Sequence, residues 1–364
     1  VSGPPAPSHA ISRVQAPPKR HPGSGAWERR RRQAIVAVLM VDVSLAASAC
    51  GRRSPSMLHP RGPESHKVAA IWWLMFSLAA GVYVVVGGFI VFATLRGRRS
   101  PEGRPSKISD STFIWWGGII VPVLILAVLA AATVSVTRTV RKADPRALRV
   151  EVVGKRWWWE VRYPDSGPTH QDVVTANEIH IPVGRPVEIG VDSDNVLHSF
   201  WVPELAGKLD MVPGQHNILR LRADRPGTYR GQCAEFCGLE HGRMAFEIVA
   251  DQPQDFDRWM ARYQRTPSPP ETEATARGEL VFTREACAGC HTVKGTQAAG
   301  TLGPDLTNFG SRSWIGSVTV RNDTAHLSGW IANAQSIKPG ALMPPIALEP
   351  GELDDLVLYM ESLK

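Results

Sequence analysis

The sequence predicts three folded parts in one chain: a two-helix transmembrane hairpin, an all-β sandwich and an all-α C-terminal domain. Three observations predict them. Residues 68–95 (28 residues) and 111–137 (27 residues) are uncharged and apolar. Each exceeds the ~20 residues that cross a bilayer as a helix. From 148 to 250 the apolar residues alternate in short runs, such as Arg149-Val150-Glu151-Val152-Val153 and Asn217-Ile218-Leu219-Arg220-Leu221. Turns such as Val212-Pro213-Gly214 and Arg225-Pro226-Gly227 separate the runs, a spacing that suits a sandwich or barrel. Residues 277–364 are helical in pattern at both ends, around a Gly/Pro-rich middle.

In chain order, residues 1–27 are rich in Pro, Ser and Gly and predict disorder. Arg29 to Arg32 precede an apolar stretch over 34–49 that ends in Ala47-Ser48-Ala49-Cys50. These are the basic, apolar and small-residue parts of a secretory signal. Three readings of this end stand side by side: Cys50 as the lipidated first residue of a mature lipoprotein, plain cleavage near Ala49, or an uncleaved anchor. The hairpin follows, with Trp72, Trp73, Trp115 and Trp116 near segment ends, where aromatic belts form. Residues 96–107 and 138–149 each carry five basic residues, so charge does not orient the hairpin.

The formal net charge is +7, but it sits in the leader. Residues 1–67 hold 11 Lys/Arg against 3 Asp/Glu, whereas residues 151–364 hold 20 against 28. No basic face remains for a nucleic acid. The five cysteines are Cys50 and two close pairs, Cys233 with Cys237 and Cys287 with Cys290, which argues against a disulfide framework.

The run GQCAEFCGLEHGRM holds Cys233, Glu235, Cys237, His241 and Met244, the pattern C-x-E-x-C-x3-H-x2-M. Thiolate, imidazole and thioether together suit copper. A single-copper blue site takes one Cys, so a second Cys four residues on suggests two thiolates bridging two metals. Zinc is the rival, but its sites rarely use Met. Another imidazole is needed, and His198 on a separate strand is the candidate; alone it would read as a core histidine.

Residues 68–250 resemble cytochrome c oxidase subunit II, a helix hairpin followed by a cupredoxin domain. The residues that carry the resemblance are His198-Ser199-Phe200-Trp201-Val202-Pro203, Lys208-Leu209-Asp210, Pro213-Gly214 and the whole Gly231-to-Met244 run. The resemblance implies a binuclear copper A site with ligands His198, Cys233, the Glu235 carbonyl, Cys237, His241 and Met244. It also implies a magnesium ion, shared with subunit I, on the Glu235 carboxylate. Gly154-Lys155-Arg156-Trp157-Trp158-Trp159 resembles the family's aromatic cluster, and Trp157 matches its electron-entry position. Trp158 replaces the family's usual Tyr. The second helix begins Ile108-Ser109-Asp110-Ser111-Thr112, without the family's proton-uptake Glu, leaving Asp110 as the nearest acid.

Cys287-Ala288-Gly289-Cys290-His291 is C-x-x-C-H, the attachment motif of a covalent haem c with His291 as axial ligand. No further Cys pair remains to complete a zinc site. A thioether as second ligand raises the potential. Met343, after the middle loop, is the candidate; Met360 lies in the last helical pattern and reads as core. Residues 277–364 resemble a class I cytochrome c, with Gly278 and Phe282 at helix-packing positions and Gly303-Pro304-Asp305-Leu306 as the loop that contacts the axial His. Haem c in such families lies outside the cytoplasmic membrane, which orients the hairpin with 96–107 inside.

The expected division is a leader over 1–50, the hairpin over 51–145, the cupredoxin domain over 146–252, a linker over 253–276 and the cytochrome c domain over 277–364. The resemblance implies a two-pass protein of the bacterial plasma membrane. Its partners would be haem–copper oxidase subunit I, other oxidase subunits and an external donor such as a cytochrome c or a quinol–cytochrome c reductase. The electron-entry subunit of a copper-A-type nitric-oxide reductase is one alternative. A stand-alone membrane-anchored carrier is another, although a single anchor would serve it.

Overall fold

The computed structural model describes residues 55–99, 109–140, 142–166 and 170–364, together with Gly3 and Gln33. The Cys50 site and the loop between the two apolar helices lie outside the described residues. The chain divides into two units, Val1–Ser54 and Pro55–Lys364; all that follows concerns the second.

Helix α1 spans Pro63–Arg99 and helix α2 spans Asp110–Val140, each several residues longer than the apolar run that predicts it. Neither helix buries its most apolar stretch within the chain. Exposed faces of this kind need lipid or protein around them. Residues Ile114–Ile120 of α2 are wound as π-helix. The start of α1 is stitched to the sandwich. Ser65 donates from its hydroxyl to the Glu204 carbonyl at 2.8 Å and from its N–H to the Leu205 carbonyl at 3.2 Å. Gly62 lies against the Arg222 carbonyl, with no room for a side chain. Seven residues separate the end of α2 from the first strand.

The sandwich has ten strands: β1 Leu148–Lys155, β2 Trp158–Ser166, β3 Gln171–Ala176, β4 Glu178–Pro182, β5 Val187–Ser193, β6 His198–Trp201, β7 Leu209–Met211, β8 Asn217–Leu221, β9 Gly227–Cys233 and β10 Ala245–Asp251. One sheet runs β3-β2-β1-β5-β8 and the other β4-β10-β9-β6-β7. Alternation decides which face is buried. In β1, Leu148, Val150 and Val152 face the core while Arg149 faces out. Trp159, Tyr163, Phe200 and Phe246 are fully buried between the sheets. The Trp159 ring meets Phe200 edge-on at 5.8 Å and Phe246 at 5.0 Å, the geometry aromatic quadrupoles favour.

The expected linker over 253–276 is corrected in its first half. Residues Pro253–Tyr263 form helix α3, with Pro at its first turn. Phe256, Trp259, Met260 and Tyr263 fall on one side at helical spacing and join the sandwich core. The actual join is the stretch from Gln264 to the Thr272 cap of the next helix.

Beyond it stand α4 Glu273–Arg284, α5 Cys287–Cys290, α6 Thr324–Ile337 and α7 Pro350–Ser362, plus a two-stranded ribbon of β11 Trp314–Ile315 and β12 Val320–Arg321. Helices α4 and α7 cross closely because Gly278 lets the Asp355 carbonyl approach, and a Cβ there would collide with it. Phe282 and Tyr359 pack beside that crossing at 5.9 Å. Arg277 binds Asp355 through two N–H groups at 2.6 and 3.0 Å.

Candidate metal and haem sites

The sulfur-rich site forms at one end of the sandwich. Strand β9 ends at Cys233 and β10 begins at Ala245, so the ligand-rich run is the connection between two paired strands. The Cys233 N–H donates to the Met244 carbonyl at 2.9 Å, which closes that connection into a loop. Strand β6 pairs beside β9 and brings in His198. Gly154 of β1 backs the ring of His198, and a Cβ there would lie 2.8 Å from His198 Cδ2. Any side chain at 154 would displace the imidazole.

The donor atoms converge. Cys233 Sγ lies 3.8 Å from Cys237 Sγ, 3.8 Å from His198 Nδ1 and 3.1 Å from the Glu235 carbonyl oxygen. Cys237 Sγ lies 3.7 Å from His241 Nδ1 and 3.8 Å from Met244 Sδ. His198, Cys233 and Cys237 form a buried group of metal-ligating atoms. The Cys237 thiol and the His198 ring draw the Cys233 ionisation down to about 3, against burial that opposes it. The charge on Cys233, with burial, pushes the Cys237 ionisation up. A cation bound by these residues would let both thiols ionise, since a bound metal deprotonates its thiols. Two thiols, two imidazoles, a thioether and a carbonyl on one small cavity fit a soft-metal centre.

Trp157 lies against this site. Its indole N–H donates to the Cys237 carbonyl at 2.9 Å. One edge of the ring faces Gly238, where a Cβ would lie 3.1 Å from Cζ2. Of the three adjacent tryptophans, Trp159 alone belongs to the buried core, and Trp158 carries Lys155 over its ring.

In the C-terminal domain the single turn of α5 sets Cys287 and Cys290 on one face, and both are free thiols. His291 follows in extended conformation, and its Nδ1 donates to the Pro304 carbonyl at 2.8 Å. That bond leaves Nε2 as the free ligand atom. Burial lowers the His291 pKa, which keeps the ring neutral. Gly303 abuts the ring with no room for a Cβ. Leu302 and Leu342 expose large apolar side chains. Met343 is half-buried in the loop after α6, and its carbonyl accepts from Gln335 Nε2 at 3.2 Å. Met360 is buried in the helical core. Thiol pair, neutral imidazole and an apolar surround fit a covalently bound haem.

The two sites are joined by contacts that no motif announces. Lys338, buried to 3% exposure, donates from Nζ to the carbonyls of Trp157 at 2.8 Å, Arg243 at 3.1 Å and Gly316 at 3.1 Å. Burial pushes its pKa down to about 8, so it remains a cation at neutral pH. Ser317 Oγ lies 2.9 Å from the Trp157 carbonyl and 3.0 Å from Asn177 Oδ1. The Arg243 guanidinium donates to the Ile337 carbonyl at 3.0 Å. Gly340, at φ 91°, abuts Leu239 and the Trp157 ring, with its ideal Cβ 3.7 Å from Cζ3. Further along, the Ser313 N–H donates to Glu178 at 3.3 Å, and Lys294 Nζ donates to the Gln264 carbonyl at 2.8 Å.

Membrane-length helices, a sulfur-rich centre on a cupredoxin-type sandwich and a CxxCH domain define a class: the membrane-anchored electron-transfer subunits. Comparison with known proteins narrows it. The profile described as "Cytochrome C oxidase subunit II, periplasmic domain" matches residues 148–251, and that described as "Cytochrome c" matches 275–364. "Cytochrome c oxidase subunit 2" of Alkalihalophilus pseudofirmus is 32% identical over 323 residues, covering 86% of this chain and 92% of that protein. Its namesakes in Bacillus sp. (strain PS3) and Bacillus subtilis are 30% and 29% identical, over 88% and 90% of this chain and 95% and 97% of theirs. The chain belongs to the cytochrome c oxidase subunit II family, in the form that carries a cytochrome c domain. It is the electron-entry subunit of a haem–copper oxidase, and the oxygen chemistry lies on a partner subunit.

Proposed function

We propose that electrons enter this subunit at a haem c held by Cys287, Cys290, His291 and Met343. They leave through a binuclear copper A held by His198, Cys233, the Glu235 carbonyl, Cys237, His241 and Met244. Copper and haem supply the redox levels between which single electrons pass. The residues do the rest. The Cys237 and Cys233 sulfurs bring soft, polarisable donors to the site, and the buried Trp159 ring packs beside His198. The Pro304 carbonyl fixes the His291 tautomer. Asn195 Oδ1, 3.5 Å from His198 Nε2, orients that ring from behind.

The observation that carries this reading is the position of Trp157. Its ring meets Gly340, three residues before Met343, on one side. On the other its N–H meets the main chain of Cys237. One indole thus bridges the methionine loop and the thiolate loop. The test is flash-induced transfer from haem c to the copper centre in the assembled oxidase, comparing wild type with Trp157→Ala. The expected result is a rate lower by at least tenfold with both centres spectroscopically intact. A rate equal to wild type takes Trp157 off the route.

The same reading places both C-terminal domains on the extracytoplasmic side of a bacterial plasma membrane, with a small cytochrome c or a quinol–cytochrome c reductase as donor. It assigns the Glu235 carboxylate, with subunit I, to a magnesium ion. Supporting it, the Glu235 carbonyl faces Cys233, so its side chain is free to project elsewhere.

A further inference from the structure

We propose that Lys338, assisted by Ser317, is a latch that fixes the cytochrome c domain against the copper domain by gripping the main-chain carbonyl of Trp157. This inference rests on the electron route proposed above and adds the residues that hold its two halves in register.

An ammonium group has three N–H donors and no acceptor. Lys338 meets three carbonyls within 3.1 Å, so its capacity is filled. Two of these carbonyls, of Trp157 and Arg243, belong to the copper domain; the third, of Gly316, belongs to the ribbon turn of its own domain. A lysine buried to 3% exposure is rare unless its charge is satisfied. Here the satisfaction is supplied only when the domains are docked, because undocking removes two of the three acceptors. Bonds from an ionised donor are the strong ones, and removing one partner leaves a buried carbonyl without its donor.

Three neighbours make the grip specific. Ser317, 1% exposed, sets its hydroxyl on the same Trp157 carbonyl. Gly316, Ser317 and Val318 take positive φ angles, so the chain turns sharply to present that hydroxyl and the Gly316 carbonyl together. Arg243 returns a bond across the seam to Ile337, the residue before Lys338. The latch stands two residues before Gly340, which touches the Trp157 ring. Holding the Trp157 carbonyl therefore holds the ring edge at the methionine loop. Lys338 is a positioning residue; it touches neither thiolate nor haem attachment site.

Lys338→Met, which keeps the stem and removes the three donors, tests this in the intact oxidase. Hydrogen exchange reports docking without any turnover. The Ser313 amide belongs to the cytochrome domain but bonds to Glu178 of the copper domain, so it is protected only while docked. The peptide spanning it should exchange at least roughly tenfold faster in the variant, since a single lost charge-assisted bond already produces that change and two of the lost bonds cross the seam. Peptides from α4 and α7 should exchange as in wild type. In parallel, flash-induced haem c to copper transfer should gain a slow phase that depends on solvent viscosity, with an amplitude equal to the undocked fraction, because those domains must re-dock first. Unchanged exchange at 313 overturns the latch. If the haem band itself is altered, Ser317→Ala decides by the same two readouts: faster exchange at 313 with the bands intact supports the latch, and exchange equal to wild type overturns it. Absence of haem-to-copper transfer in the wild type would instead refute the electron route, so the two failures are distinguishable.

Discussion

At Trp157 the indole N–H, the ring edge and the main-chain carbonyl each meet a different part of the chain. The residues whose donor atoms converge beside it were singled out by type and spacing, because two Cys, a His and a Met within one run have few other uses. The Gly154 seat for His198 was quoted as part of a motif, but its steric role needs the fold. Lys338 and Ser317 carried no signal, since a lone Lys before Pro-Gly reads as an ordinary exposed turn. Only the third dimension brings carbonyls 181 and 95 residues away onto its ammonium. Cys237→Ser replaces a soft bridging donor with a hydroxyl, a poor ligand for copper. Metal analysis and the near-infrared band should show loss of the binuclear centre, with haem c retained; two coppers with an unchanged band would refute the assignment. Met343→His exchanges a thioether for a stronger donor to iron and should lower the haem potential. The drop should be on the order of a tenth of a volt, a fraction of the ~0.8 V that axial ligands span. A redox titration with no change would move the ligand elsewhere.

Helix α3 shows why element boundaries were only partly legible. Its residues alternate charged and aromatic, and the Pro/Ser/Thr-rich run just after it made the whole stretch resemble a tether. The fold shows an amphipathic helix whose Trp259 stacks on His180 at 4.4 Å. His180, on β4, sits between Glu178, 2.9 Å from Nε2, and Asp251, 2.6 Å from Nδ1, with the Tyr163 hydroxyl on its main chain. Burial opposes its charge, but the two carboxylates outweigh burial and hold its pKa above the ordinary value. Glu178 is held below the usual range by His180 and the Ser313 amide, against burial. The raised histidine contributes stability that is complete below ~6.5 and is lost as pH rises through its folded value. The stability difference between wild type and His180→Gln should therefore be larger at about pH 6 than at about pH 9, by about 1.5–3 kcal/mol for bonds to charged groups. Thermal unfolding across that range checks it, and a difference that grows with pH would contradict the ion-pair account.

At the scale of the whole molecule, the order of parts was legible from periodicity: long apolar runs, then period two, then helical runs around CxxCH. What the sequence did not carry is that the cytochrome c domain lies on the Trp157 face of the copper domain. Composition hinted at it only indirectly. Residues 277–364 hold 7 Lys/Arg and 9 Asp/Glu, too little charge for strong steering. A short join keeps a donor at an effective concentration of ~mM, which makes strong steering unnecessary. Across the seam, buried Lys338 and Ser317 meet main-chain carbonyls of the copper domain, contacts that salt screens far less than exposed pairs. In the proposed route one chain passes electrons from its own haem c to its own copper centre. The most direct measurement is a flash experiment on the assembled oxidase that follows the haem c band and the copper near-infrared band together, over a range of protein and salt concentrations. The account predicts that haem c oxidation and copper reduction share one rate constant, unchanged by either concentration. A rate that rises with protein concentration, or haem c oxidation with no matching copper reduction, would contradict it.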